Sequence, residues 1–311
     1  MNRYLLVAIL VAVWGLSAGA AALQQQQQKP LNVRAIQKIR DNLYFISGGE
    51  LNERATWTGG NSMVLVGDKG VVLVDTMLPG AGREILAQIK SVTDKPVTMI
   101  INTHTHFDHT GSNTEFPATV EFVAHEGTRA NLARETCQPV TNCAAFHGEN
   151  AKFLPKRTFK DRLTLFSGKD QIDLYHFGRG HTDGDTFVVF PAARAMHAGD
   201  MFPRQQMPFV DFANSGGSAV EFGPTLQKAV AAIKNVDTVV GGHTFTPVTW
   251  NDFTTYTDFY NDFLGDAQAA GKKGTSLDEF VKGYRVADKY KGFNADGNSV
   301  RANAEAIFAG K

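Results

Sequence analysis

Excess charge of either sign is missing from this 311-residue chain: Lys and Arg number 31, Asp and Glu number 31, and the formal net charge is zero. No basic run breaks that balance. The clustered positive charge that nucleic-acid binding needs is absent, which excludes a polyanionic partner and leaves a small-molecule substrate.

Cysteine is equally scarce. Cys137 and Cys143 close the segment Cys137-Gln138-Pro139-Val140-Thr141-Asn142-Cys143, a spacing longer than the C-x₂₋₄-C of zinc sites. An exported chain would join them in a local disulfide; otherwise they are two free thiols.

Long apolar runs are also lacking, apart from one at the N-terminus. Asn2 and Arg3 lead into Tyr4 through Trp14, and Ser17-Ala18-Gly19-Ala20-Ala21-Ala22 follows. A basic start, an apolar core and an A-x-A ending describe a secretory signal peptide over residues 1–22, cut after Ala20 or Ala22. The alternative is a retained anchor, for which the run is short of the ~20 residues a span needs. No cysteine follows to carry a lipid. The expectation is a periplasmic or secreted protein without membrane attachment after cleavage. Residues 23–32, with Gln24 to Gln28, read as a flexible polar spacer.

What remains is globular in composition, 43% hydrophobic and 20% charged, and long enough for one large domain or two ordinary ones. Strands are predicted at Leu43–Ile46, Asn61–Val66 and Gly70–Asp75, the last two joined by an Asp68-Lys69-Gly70 turn. Further strands are predicted at Val97–Ile101, Val120–Val123, Leu163–Phe166, Ile172–Tyr175, Thr186–Phe190, Ala195–His197 and Thr238–Val240. Helical spacing marks Gly82–Val92, Glu126–Glu135 and Phe222–Ile233. Beyond Trp250, residues Phe253, Tyr256, Phe259, Tyr260 and Phe263 form a stripe that reads as packing in a helical tail. The organisation is a main domain at 33–250 and a helical extension at 251–311. So many strands with interspersed helices are buried most naturally as two face-packed sheets with helices outside.

The chemistry is concentrated in Thr103-His104-Thr105-His106-Phe107-Asp108-His109, where three imidazoles and a carboxylate follow a buried strand directly. In a strand His104 and His106 point the same way and could share one ion. Asp108 and His109 could turn toward a second. Imidazole with carboxylate favours zinc over calcium or magnesium. Three more strand ends carry a His or Asp beside glycine: Gly180-His181, Gly199-Asp200 and Gly242-His243. His181 would complete a site with His104 and His106. His243 would join Asp108 and His109, and Asp200 has two oxygens with which to bridge. His125, His147, His176 and His197 read as structural or exposed.

The set H-x-H-x-D-H, G-H-T, G-D and G-G-H resembles the metallo-β-lactamase superfamily, from about Ile36 to Trp250. Asn61 to Asp75 is similar to that family's opening hairpin, and Gly180 to Pro191 to the corresponding stretch of zinc β-lactamases. The resemblance implies an α/β fold, a four-layer αβ/βα sandwich with its metals at one edge. It also implies two Zn²⁺ ions (iron or manganese being alternatives) and metal-bound hydroxide attacking a carbonyl carbon. Asp108 would be the catalytic carboxylate that orients the hydroxide and relays its proton.

Common zinc β-lactamases carry cysteine at the position of Asp200 and lack a histidine like His109. The full Asp108, His109, Asp200, His243 set resembles glyoxalase II and lactonases. The lactamase-like stretch from Gly180 to Pro191 makes hydrolysis of a cyclic amide or related carbonyl compound the expected activity, and the glyoxalase-type ligand set makes a thioester or lactone the alternative. A non-catalytic metal binder or an iron oxygenase stands further off. Arg204 is a candidate partner for a substrate carboxylate, Asn214 a candidate site-loop residue, and Trp57 a candidate flap residue.

Overall fold

The computed structural model describes residues 31–50, 53–137 and 139–311. The predicted signal peptide and the spacer through residue 30 lie outside the described residues.

Residues from Asn32 onward build one unit around two sheets. The first takes its strands in chain order: β1 (Gln37–Arg40), β2 (Leu43–Ile46), β3 (Ser62–Gly67), β4 (Gly70–Val74), β5 (Val97–Ile101), β6 (Glu121–His125) and β7 (Arg157–Phe159). β1 to β4 form an antiparallel meander. β3 and β4 pair from Met63↔Val74 to Gly67↔Gly70, so Asp68 and Lys69 are the turn. From β4 the sheet turns parallel, because helix α1 (Gly82–Lys90) carries the chain back before β5. A parallel connection needs such a crossover. The short helices α2 (Phe107–Thr110) and α3 (Glu126–Leu132) follow β5 and β6.

The second sheet has the order β13–β12–β11–β10–β9–β8. Its strands are β8 (Arg162–Leu165), β9 (Ile172–Tyr175), β10 (Phe187–Phe190), β11 (Ala195–His197), β12 (Thr238–Val240) and β13 (Val248–Thr249). Only β11 and β12 run parallel.

Side-chain alternation sorts the residues of each strand between two cores. Val188 and Phe190 join Val72, Val74, Met99 and Ile101 in the core between the sheets. Phe187 and Val189 point the other way, into a second core under α4 (Ala219–Ala232), α5 (Trp250–Lys272), α6 (Leu277–Gly283) and α7 (Gly297–Phe308). The aromatic stripe is there in full, with Phe253, Tyr256, Phe259, Tyr260 and Phe263 all buried. The tail thus shares a core with the second sheet.

Several boundaries differ from expectation for local reasons. α4 starts at Ala219, three residues earlier than predicted, because Ser218 accepts a hydrogen bond from the Glu221 amide and caps it. Pro224, the sixth residue of that helix, has no N–H to offer the Val220 carbonyl, so one helical hydrogen bond is missing there. α3 ends at Leu132, short of Glu135. Cys137 and Cys143 are joined in a disulfide with Cα atoms 5.5 Å apart.

Candidate metal centre

Every expected ligand lies where a strand runs out. β5 ends at Ile101 and delivers His104 and His106, while Asp108 and His109 lie in α2. His181 follows β9, Asp200 stands in a single turn after β11, and His243 comes just after β12. Glycine makes these approaches possible. A Cβ on Gly242 would fall 1.7 Å from Asp200 Oδ1, and one on Gly60 would fall 2.2 Å from His109 Cε1.

Side chains from distant parts of the chain meet in three overlapping groups: His104, His106 and His181; His104, His109 and Asp200; Asp108, His109 and His243. Within each group the donor atoms lie within 4.8 Å of one another. Asp200 stands between the first and last groups, with Oδ2 at 3.6 Å from His181 Nε2 and 3.2 Å from His243 Nε2, and Oδ1 at 3.3 Å from His109 Nε2.

The outer hydrogen bonds fix each ring's tautomer. His106 Nε2 faces Asp211 Oδ2 at 3.1 Å and acts as donor to that carboxylate. His181 Nδ1 donates to the Phe209 carbonyl at 2.7 Å. His109 Nδ1 donates to Asp75 Oδ2 at 2.7 Å. Thr103 Oγ1 donates to the same Asp75 oxygen at 2.6 Å and accepts from His104 Nδ1 at 3.0 Å.

Four of the five rings are thus held from outside and aim their other nitrogen inward, while His243 Nδ1 is buried without a hydrogen-bond partner. His106 Nδ1 and His181 Nε2 face each other at 2.9 Å, two acceptors with no proton of their own between them. His104 Nε2, His109 Nε2 and Asp200 Oδ1 are buried with no partner. Buried acceptors left in this state are costly unless a cation lies among them. Nitrogen and carboxylate donors with their outer atoms tied down suit zinc or a similar ion.

The electrostatics agree for His104 and His181 and run the other way at His109, where the surrounding carboxylates stand in for a cation's counter-charge. Burial, reinforced by the neighbouring His109, His181 and His106, holds His104 well below the usual histidine range. Burial and His106 bring His181 down to about 4. Both rings are thus neutral and able to ligate. Burial works against a charge on His109 too, but Asp108, Asp200 and Asp75 outweigh it and favour positive charge there. Burial raises Asp200, yet His243 and His109 hold it well below the carboxylate range.

A cavity of about 220 Å³ opens over this cluster, walled by Trp57, Phe107, Val140, Pro203, Gln206 and Phe209 beside His106, Asp108, His181, Asp200 and His243. Val140 belongs to the disulfide loop and accepts the Phe107 amide at 3.2 Å, which ties that loop to the wall. Trp57 lines the cavity.

Arg204 and Asn214 are not in this lining. Arg204 Nε donates to Gln206 Oε1 at 2.6 Å, so the guanidinium orients the glutamine that does line the cavity. Asn214 Nδ2 donates to Asp211 Oδ1 at 2.7 Å and lines a separate cavity. It reaches the metal groups only through Asp211.

Asp211 is the residue that sequence reasoning missed. It is 2% exposed and sits alone in Phe209-Val210-Asp211-Phe212, where no motif or glycine marks it. Burial raises its carboxyl, but hydrogen bonds from His106, Ser215 and Asn214 prevail and hold it at about 2. His197, which read as structural, is buried. Its Nε2 donates to Asn61 O at 3.0 Å, and its Nδ1 accepts the Gly199 amide at 3.0 Å, which fixes the turn that presents Asp200. Asp185 accepts the amide and hydroxyl of Thr182 at 2.9 and 2.7 Å and braces the His181 loop; burial pushes it up to about 8.

Comparison with known proteins places this arrangement. A family model described as the metallo-beta-lactamase superfamily matches residues 55–243. The chain belongs to that superfamily. The 2,4-dinitroanisole O-demethylase subunit alpha of Nocardioides sp. (strain JS1661) is 31% identical over 143 residues, 45% of this chain and 40% of the relative. Metallo-beta-lactamase type 2 of Elizabethkingia meningoseptica is 26% identical over 236 residues, 73% of this chain and 85% of the relative. Among solved structures, the inverting sec-alkylsulfatase Pisa1 from Pseudomonas sp. superposes with a TM-score of 0.67 at 15% identity, over 89% of this chain and 50% of that one. A metallo-beta-lactamase from Pontibacter korlensis gives 0.59 at 20% identity, over 74% of this chain and 100% of that one. This chain therefore spans less than half of the demethylase and half of the alkylsulfatase, and the two structural likenesses concern the fold.

Proposed function

We propose that this protein is an exported hydrolase that uses two zinc ions to cleave a carbonyl compound, a cyclic amide or ester. The observation that carries this reading is the convergence of inward lone pairs, with His106 Nδ1 and His181 Nε2 facing each other at 2.9 Å. His104, His106 and His181 would hold one ion, Asp108, His109 and His243 the other, with Asp200 between them. Bound there, such ions lower the pKa of coordinated water toward ~7 and polarise a carbonyl oxygen.

The chain's own residues supply the rest. Asp108 belongs to the second group and also lines the cavity. Its carboxylate takes the proton that the attacking water gives up. Trp57 and Phe209 pack on the apolar part of the substrate. Gln206, its oxygen occupied by Arg204, offers its amide N–H groups to a substrate carbonyl or leaving group.

Within this class an uncharged lactone fits better than a β-lactam carboxylate or a glutathione thioester. Among the described residues no lysine or arginine lines the cavity, so the chain offers no side-chain cation to a substrate carboxylate. Export is supported by the N-terminal sequence and is consistent with the Cys137–Cys143 bond.

The test is a side-by-side rate measurement on zinc-loaded protein with a lactone, a β-lactam and a glutathione thioester, alongside elemental analysis. Two zincs per chain, lactone cleavage fastest, and loss of hydrolysis in His106→Ala or with chelator are expected. Full activity in His106→Ala, or one iron in place of two zincs, would refute the reading.

A further inference from the structure

A second cavity, larger than the metal cavity at about 340 Å³, lies behind Phe209 and beneath α7. It shares Gln206 and Phe209 with the cavity over the metal groups. We propose that it binds an alkyl or acyl chain of the substrate whose carbonyl is cleaved next door; this rests on the carbonyl-hydrolase reading above.

Three observations support the assignment. The walls are mainly apolar, from Met207, Pro208, Val210 and Ala213 on the loop and Ala302 on α7. An apolar cavity of ~150 Å³ takes benzene, so this one has room for several methylenes.

The buried polar side chains in the lining are already committed. Asn303 Nδ2 donates to Pro208 O and Ser299 O, both at 2.9 Å, and its Oδ1 accepts from Tyr260 at 3.2 Å. Asp211 is saturated by His106, Ser215 and Asn214. Apart from Gln206, which lines both cavities, recognition here rests on apolar contact.

Finally, Phe209 is 56% and Phe212 42% exposed, and both rings line this cavity. A chain lying against them would cover apolar surface now facing water. The α7 wall lies outside the residues that match the family model.

The test pairs a binding readout with a kinetic one. Zinc-loaded protein is titrated calorimetrically with n-octanol and assayed on lactones bearing chains from ethyl to decyl. Saturable octanol binding is expected, with kcat/KM rising by up to about fourfold per methylene until the cavity is full. Ala302→Trp from the helix side and Ala213→Trp from the loop side should each abolish octanol binding and flatten the chain-length series. The two variants approach from different elements, so misfolding of one leaves the other informative. Absence of saturable octanol binding, or a wild-type chain-length series in a folded variant, would overturn the proposal. Octanol binding that both variants abolish, with no lactone cleaved by wild type, would uphold the chain site and reject the carbonyl reading.

Discussion

Replacing Asp211 with alanine tests how the metal groups are held. Asp211 touches none of the inward-facing donor atoms, yet its Oδ2 is the reason that His106 carries its proton on Nε2 and keeps Nδ1 free. Alanine removes that acceptor. The imidazole proton is then free to move to Nδ1, where it blocks ligation. Outer partners of this kind are worth about 10–100-fold in metal affinity, or roughly 1.4–2.7 kcal/mol. Stability falls as well, because the Ser215 hydroxyl and the His106 Nε2–H lose their acceptor in a buried setting at ~1–3 kcal/mol each.

Asp211→Asn separates the two effects. With its oxygen toward His106 and Ser215, the amide NH₂ meets the Asn214 donors that Oδ1 now accepts. The variant should keep most of its zinc affinity and lose stability. Competition against a chromophoric chelator gives the affinity, and thermal unfolding gives the stability. A folded Asp211→Ala protein that binds zinc within twofold of wild type would refute the reasoning.

Two further outcomes are expected. His125 and His176 stack with ring centroids 3.9 Å apart, and burial together with the His176 charge brings His125 down to about 4. Its folded pKa lies below the unfolded value near 6.5, so the unfolded chain binds the extra proton between those values. Stability should fall by about 1–2 kcal/mol, after allowance for solvent screening, as pH drops from 6.5 to 4. His125→Asn, which retains a side-chain acceptor for the Gly127 amide, should flatten that slope in urea titrations at several pH values; an unchanged slope would count against it. Tyr260→Phe removes a buried hydroxyl whose single proton is shared between Ala219 O at 2.9 Å and Asn303 Oδ1 at 3.2 Å, and should cost ~1–3 kcal/mol by denaturant midpoint; a change near zero would show that water replaces the bond.

The candidate ligands were legible in two ways: His104, His106, Asp108 and His109 cluster directly after β5, and His181, Asp200 and His243 each follow a glycine beyond a strand. There, a buried apolar run stops abruptly and a polar residue must be explained. The aromatic stripe was legible from its helical spacing. β1 and β7 were not, since Gln37-Lys38-Ile39-Arg40 and Arg157-Thr158-Phe159 are short edge strands with little apolar alternation to read. Asp211 was invisible for a different reason. Its role depends on a loop folding over a histidine 105 positions earlier, and no local pattern encodes that. Arg204 was picked out by its nearness to Asp200 in sequence, and its Nε turns to Gln206, which lines the cavity.

The seam between the sheets has a thermodynamic consequence. Four of the donor residues come from the end of the first sheet and three from loops of the second, so an ion seated among them acts as a clasp across the two halves. Its binding energy then counts as folding energy. At a free concentration one hundred times its dissociation constant, a single such ion adds about 2.7 kcal/mol. The same chain would be robust where zinc is plentiful and would open along this seam where it is scarce.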